Sequence, residues 1–167
     1  MAKSAGAVVI ALAGGPDKLG YAKQFGADHL IDYTDDTWPE QVMAVTNGRG
    51  ADLIIDGNAG PNASRNLMAI APLGNIIITG AVAGQAPDLS IAEIIGKSCS
   101  VSGFIQYFHQ VNSTGAEKIA VHEKLASGEW RIPIGKIYPL AEVSDAHRAW
   151  EARELVGRTL IQSAGEL

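Results

Sequence analysis

Ala7-Val8-Val9-Ile10-Ala11-Leu12-Ala13-Gly14-Gly15-Pro16-Asp17-Lys18 is the stretch on which the reading of this chain turns. Val8 to Leu12 are apolar without a break, the pattern of a strand buried on both faces of a parallel sheet. Gly14-Gly15-Pro16 interrupts that pattern. A helix is then expected from about Pro16 to Phe25, with Leu19, Ala22 and Phe25 at helical spacing and Gly26 as its stop.

The same alternation continues along the chain. Ala27 to Tyr33 reads as a short strand. Thr37-Trp38-Pro39-Glu40 reads as a helix start, with Thr37 as N-cap and Glu40 three residues on. Asp52 to Asp56 reads as a third strand, Pro61 to Ala71 as a helix closed by Pro72-Leu73-Gly74, and Asn75 to Gly80 as a fourth strand. Ser90 to Gly96 is expected as a short helix, Ser98 to Phe104 as a fifth strand, and Asn112 to Ser127 as a longer helix. Strands and helices in alternation predict right-handed βαβ units and a parallel sheet. After Gly128 the texture changes. Ile132 to Leu140 is extended and carries two prolines, Glu142 to Arg153 is an amphipathic helix, and Gly157 to Gln162 closes as a strand. The expected boundary lies near Gly128, dividing residues 1–128 from 129–167.

Composition narrows the functional classes. The chain has 167 residues, 47% hydrophobic and 19% charged, with a net charge of −5. That is a folded chain, large enough for a sizeable core. No run of Lys and Arg interleaves with aromatics, so no nucleic-acid groove is expected. No apolar run approaches the roughly 20 residues of a membrane span. The single cysteine, Cys99, excludes an intrachain disulfide and a cysteine-based zinc cluster, and reads as a small buried residue rather than a nucleophile. Met1, Lys3 and the apolar run up to Ala11-Leu12-Ala13 mimic a short secretory leader. The strand reading accounts better for the turn and amphipathic helix that follow, and a cytoplasmic protein is expected.

In a dinucleotide-binding sheet the end of the second strand meets the adenosine ribose. An Asp or Glu there accepts from the 2′-hydroxyl and selects NAD. If Val8–Leu12 is that strand, this chain offers Ala13-Gly14 instead, with Lys18 just beyond. Small uncharged residues leave room for a 2′-phosphate, and Lys18 supplies a cation for it.

The remaining motifs support that placement. Lys3-Ser4-Ala5-Gly6-Ala7, Lys23 to Tyr33, Gly50 to Asp56, Leu73-Gly74-Asn75-Ile76-Ile77, Ala146-His147 and Gly157-Arg158-Thr159-Leu160 together resemble the medium-chain dehydrogenase/reductase superfamily. The branch they resemble is that of zinc-independent quinone oxidoreductases and enoyl reductases. The resemblance implies an α/β, doubly wound parallel Rossmann-type sheet lacking its first strand and Gly-rich loop, followed by a tail that returns to the GroES-like catalytic domain. It implies an incomplete NADP-binding domain over 1–128 and part of the catalytic domain over 129–167. It implies further the cofactor-binding part of an NADPH-dependent oxidoreductase, passing hydride to a quinone, enone or enoyl thioester. A truncated, non-catalytic module acting in dimerisation or with a partner chain is the alternative. Alone, the chain is expected to be inactive, and a homodimer or pairing with the missing N-terminal half is expected.

The resemblance also assigns residues. Lys18 and Tyr33 stand where the family's NADPH-dependent reductases contact the 2′-phosphate, although each by itself reads as an ordinary surface residue and Asp17 places a negative charge next to Lys18. Asn58 lies where the family's chain passes the nicotinamide ribose, and reads equally as a turn residue. Gly80-Ala81 ends the strand whose backbone nears the nicotinamide. Gly103-Phe104 matches a pair that meets the carboxamide through backbone, and reads equally as a strand-end glycine with a core phenylalanine. No catalytic acid, base or nucleophile set is visible, and His29, His109, His122 and His147 are scattered without metal-ligand spacing. Because the absent strand is central in the order 3-2-1-4-5-6, Val8–Leu12 and Asp52–Asp56 are expected either to pair directly or to hold a strand from another chain between them.

Overall fold

The structure, a computed structural model, describes residues 1–84, 88–108 and 115–163. Strand β1 (Ile10–Ala13) runs parallel to β2 (His29–Asp32), and helix α1 (Pro16–Gln24) connects them. Helix α2 (Trp38–Val45) leads to β3 (Ala51–Asp56). A short helix α3 (Asn66–Ala69) passes directly into β4 (Ile70–Ile78), and α4 (Ile91–Lys97) leads to β5 (Ser100–Gly103). The order β3-β4-β5 is parallel throughout. Helix α5 (Ala116–Ala126) precedes a final unit in which β6 (Ile134–Pro139) pairs in parallel with β7 (Arg158–Gln162) around α6 (Val143–Glu151). The expected α/β architecture of parallel strands and crossover helices is therefore present.

Two buried clusters hold the sheets to their helices. Ile31, Trp38, Val42 and Ala69 form one, with Ile10 and Ile54 packed against it. Leu67, Ile70, Ile76 and Cys99 form the other, and Ile54 touches this one too. Cys99 is buried in that cluster, its thiol turned towards the Ile94 carbonyl.

Of the two alternatives for Val8–Leu12 and Asp52–Asp56, direct pairing is not the one realised, since β1-β2 and β3-β4-β5 are separate sheets with a groove of about 750 Å3 between them. Two other expectations are corrected. The helix expected over Pro61–Ala71 is reduced to one turn at Gly60–Asn62 and α3. Its cause is Gly50, over which the segment Ala69–Ala71 crosses so closely that Ile70 pairs with Ala51 and strand β4 begins there. At the start of α2, Thr37 stands at the N-cap but its side chain makes no cap bond. Instead Asp35 accepts from the Thr37 N–H and hydroxyl and from Gln41. A carboxylate two residues earlier thus does the work expected of a Thr/Glu pair. The helix expected from Asn112 begins, within the described residues, at Ala116; residues 112–114 lie outside them, as does His109.

Candidate functional site

The expected site residues all follow the carboxyl ends of parallel strands. Gly14 to Lys18 follow β1, Tyr33 follows β2, Asn58 follows β3, Gly80-Ala81 follow β4, and Gly103-Phe104 end β5. In open α/β sheets this is the edge at which ligands bind.

At the β1 end the turn is built by glycine and a carboxylate. Gly15 has φ +87°, a conformation that side chains resist, and Pro16 then starts α1 with its φ already helical. Asp32, closing β2, accepts from the Gly15 N–H at 3.0 Å with one oxygen, and from the Thr34 N–H and hydroxyl with the other. It therefore clamps the turn and is not spare for a ribose. Tyr33 lies against the same turn: a Cβ built on Gly14 falls 3.2 Å from its hydroxyl. Lys18 lines a cleft of about 220 Å3 together with Gly14, Gly15, Arg153 and Val156. Gly14 lies against the Tyr33 ring and shares the wall of the smaller cleft with Lys18, while Tyr33 itself lines the groove of about 750 Å3 between the sheets and not that cleft.

Arg153 was not foreseen. The Glu154 N–H bonds to the Ala149 carbonyl and the Arg153 N–H to the Trp150 carbonyl, a Schellman closure of α6. Arg153 occupies the left-handed position of that closure at φ +58°, where glycine is usual. The strained arginine brings a second cation to the cleft, with Asp17 and Glu154 also on its rim. The signal in the sequence was a helix ending in Arg-Glu with no glycine until Gly157.

At the other strand ends, Asp56 accepts from the N–H groups of Asn58 and Ala59 and from Asn66 Nδ2. That fixes the turn carrying Asn58. Gly80 packs against Gly57 so closely that a Cβ on it would meet the Gly57 carbonyl oxygen at 2.6 Å. The Phe104 N–H bonds to the Ile78 carbonyl, tying the end of β5 to that of β4. The structure thus places Asn58, Gly80, Ala81, Gly103 and Phe104 at the carboxyl ends of β3, β4 and β5, and Lys18 and Tyr33 beyond those of β1 and β2.

A family model described as zinc-binding dehydrogenase matches residues 1–120. The chain belongs to the zinc-binding dehydrogenase family. A relative named quinone oxidoreductase from Pseudomonas aeruginosa is 24% identical over 166 residues, covering 96% of this chain and 50% of its own. A solved NAD-dependent alcohol dehydrogenase superposes with a TM-score of 0.86 at 30% identity, over 98% of this chain and 46% of that one. A mycobacterial protein solved in complex with NADPH gives 0.86 at 25% identity, over 97% of this chain and 52% of that one. This member of the zinc-binding dehydrogenase family spans about half the length of the relatives it matches. The family description names zinc, but among the described residues no group of three or more His, Cys, Asp and Glu side chains could hold a metal. No helix among the described residues is long and apolar enough to cross a membrane.

The carboxylates around the β1–β2 turns carry a pH dependence. The Thr34 hydroxyl and N–H, with the Gly15 N–H, lower the Asp32 carboxyl below the usual range. The Val9 N–H and then Lys3 lower Asp28, and the Thr37 N–H and hydroxyl lower Asp35. Groups lowered on folding favour the native state above the unfolded carboxylate value of about 3.9, and that advantage is lost as pH falls through their native values. The urea midpoint is expected to be flat in this respect from pH 8 to 5 and to drop below about pH 4. Asp32→Asn should make the drop shallower; a variant with the wild-type slope contradicts the clamp.

Proposed function

We propose that the chain is the cofactor-binding part of an NADPH-dependent oxidoreductase that transfers hydride to a quinone, enone or enoyl thioester. The observation that carries this is the cleft at Gly14-Gly15, which Lys18 and Arg153 both line and where Asp32, the acid closing β2, is engaged by the Gly15 N–H. The name of the Pseudomonas relative and the NADPH held by the mycobacterial neighbour support it. The NAD-dependent neighbour has the same fold, so selection between the two cofactors falls to the residues of this cleft.

When bound, the nicotinamide supplies the hydride. The chain's own residues position it. Lys18 and Arg153 pair with the 2′-phosphate and the Tyr33 hydroxyl donates to it. The turn fixed by Asp56 presents Asn58 to the nicotinamide ribose. Gly80, Ala81, Gly103 and Phe104 give the nicotinamide a backbone wall, and the Gly57–Gly80 contact leaves no space for a side chain there. In this reading residues 1–128 form the nucleotide domain and 129–167 belong to the catalytic one, the protein is cytoplasmic, and it dimerises through β5, the outer strand of its sheet.

The test compares 2′,5′-ADP with 5′-ADP by calorimetry. At least tenfold tighter binding of 2′,5′-ADP is expected, since a charge-assisted hydrogen bond is worth about 1.5–3 kcal/mol. Equal affinities would sink the assignment of NADPH.

A further inference from the structure

We propose that Asn66 is a positioning residue for the cofactor: through Asp56 it holds Ala59 in a backbone conformation that alanine resists, and so fixes the turn that carries Asn58. This inference rests on the reading above in which Asn58 meets the nicotinamide ribose, and adds to it a buried residue outside the cleft of Lys18 and Arg153.

The strain lies in Ala59, whose φ is +48° and ψ −128°. A left-handed residue has ψ of about +47°. Ala59 is outside that region too, in backbone space that glycine takes freely and a side chain resists. It is also buried, at 3% exposure. Such a conformation persists only where the surroundings over-determine it.

Hydrogen bonds from both sides do so here. One oxygen of Asp56 accepts from the N–H groups of Asn58 at 2.9 Å and Ala59 at 2.8 Å. The other accepts from Asn66 Nδ2 at 2.7 Å. The Asn58 carbonyl accepts from the Ala83 N–H at 2.9 Å, which ties the turn to the segment after β4. Gly60 passes so near that segment that a Cβ on it would lie 2.6 Å from the Ala83 Cβ. Asp56 is thus the hub of the turn. A carboxylate turns about its last bond in a broad well, so one held by a single oxygen is loosely oriented. Asn66 removes that freedom by holding the second oxygen.

Nothing else explains an amide at this position. Asn66 is 5% exposed, and its neighbours in α3, Leu67 and Ala69, are fully buried. A buried amide costs stability unless it is bonded, and the bond Asn66 makes with its side chain is the one to Asp56. The base is firm as well. Helix α3 runs straight into β4, which pairs with β3 from Ala51 to Asp56, so Asn66 and Asp56 stand on elements joined to each other. A group aimed at a ligand is held best when a second shell on rigid elements orients it.

The effect belongs to one end of the cofactor. Asn66 acts at the carboxyl end of β3, whereas Lys18 lies beyond that of β1. NADH and NADPH share the nicotinamide half, and 2′,5′-ADP lacks it, so the three ligands separate the two ends.

The experiment titrates the full chain with NADH, NADPH, 2′,5′-ADP and 5′-ADP by calorimetry. Asn66→Leu keeps the branched shape and removes the donor; Asn66→Ala replaces it if the leucine variant does not fold. NADH and NADPH are expected to weaken by the same factor, about tenfold, while 2′,5′-ADP stays within about twofold. Adding Ala59→Gly should bring both dinucleotides back to within about threefold of wild type, because glycine takes this conformation without being held in it. Glycine would not repair lost packing, so the rescue marks positioning. Equal loss of 2′,5′-ADP, unchanged dinucleotide affinity, or a loss that glycine does not recover would overturn the proposal. Ala59→Gly alone should not lower the urea midpoint; a lower midpoint means that Ala59 is unstrained and overturns it too. If 2′,5′-ADP binds no tighter than 5′-ADP, NADPH selection fails by itself, and the NADH titrations still decide the role of Asn66. A wild-type chain that binds neither dinucleotide overturns both.

Discussion

Changing Lys18 to alanine and Arg153 to glycine together is expected to weaken NADPH at least a hundredfold while leaving NADH within threefold. Both cations border the cleft at Gly14-Gly15. Each charge-assisted bond to a phosphate contributes about 1.5–3 kcal/mol, so two account for a factor of about 10² to 10⁴. Removing them also leaves Asp17 and Glu154 uncompensated on the rim, so a 2′-phosphate meets net negative charge where it met neutrality. NADH carries a hydroxyl at that position and loses little. The change at Arg153 has a second, opposite readout. Its φ of +58° costs an arginine about 1–2 kcal/mol that glycine does not incur, against the greater chain entropy of glycine. Arg153→Gly alone should therefore unfold no more easily than wild type, while binding NADPH more weakly. A variant that lost stability and cofactor together would make Arg153 a structural residue. Equal loss of NADH and NADPH would place both cations elsewhere on the nucleotide.

The parts of this fold that could be read ahead were those carried by local pattern. The uninterrupted apolar run at Val8–Leu12, the Gly-Gly-Pro turn and the following amphipathic stretch each depend on neighbours in sequence, and each element formed within a residue or two of its expected bounds. The pairing of Lys18 with Tyr33 rested on the family resemblance, since each by itself has the pattern of an ordinary surface residue. What escaped depends on contacts between distant segments. Arg153 comes to Lys18 because the tail folds back on the first helix, where Gly157 lies against the Tyr21 hydroxyl. Asp32 could be seen as a strand-end acid, but its role as a clamp follows from a bond to Gly15, 17 residues earlier. The helix expected over Pro61–Ala71 is reduced to a turn at Gly60–Asn62 and α3, which ends where Ile70 pairs with Ala51. There a tertiary contact outweighed intrinsic preference, as it commonly does.

That crossing sets the second large effect. Gly50→Ala is expected to destabilise the protein by about 2–5 kcal/mol, combining a left-handed penalty of about 1–2 with overpacking of about 1–3. Gly50 has φ +88°, and a Cβ there would lie 2.8 Å from the Ala69 carbonyl oxygen, the Ala71 nitrogen and the Ile70 carbonyl carbon. All three are backbone atoms, so no rotamer change relieves the contact. Moving that segment away breaks the pairing of Ala51 with Ile70, and moving Gly50 strains its N–H bond to the Thr46 hydroxyl. Ile70 and Ala69 are buried and belong to the two core clusters, so the displacement spreads into both. A loss of this size is a large share of the roughly 5–15 kcal/mol that domains have in total. Gly48→Ala is the control, because Gly48 has nearly the same φ, +81°, with nothing near its Cβ position. It should cost about 1–2 kcal/mol, the conformational part alone. Urea denaturation of the two variants separates the terms, and equal midpoints would mean that the close crossing at Gly50 does not hold β3 and β4 in register.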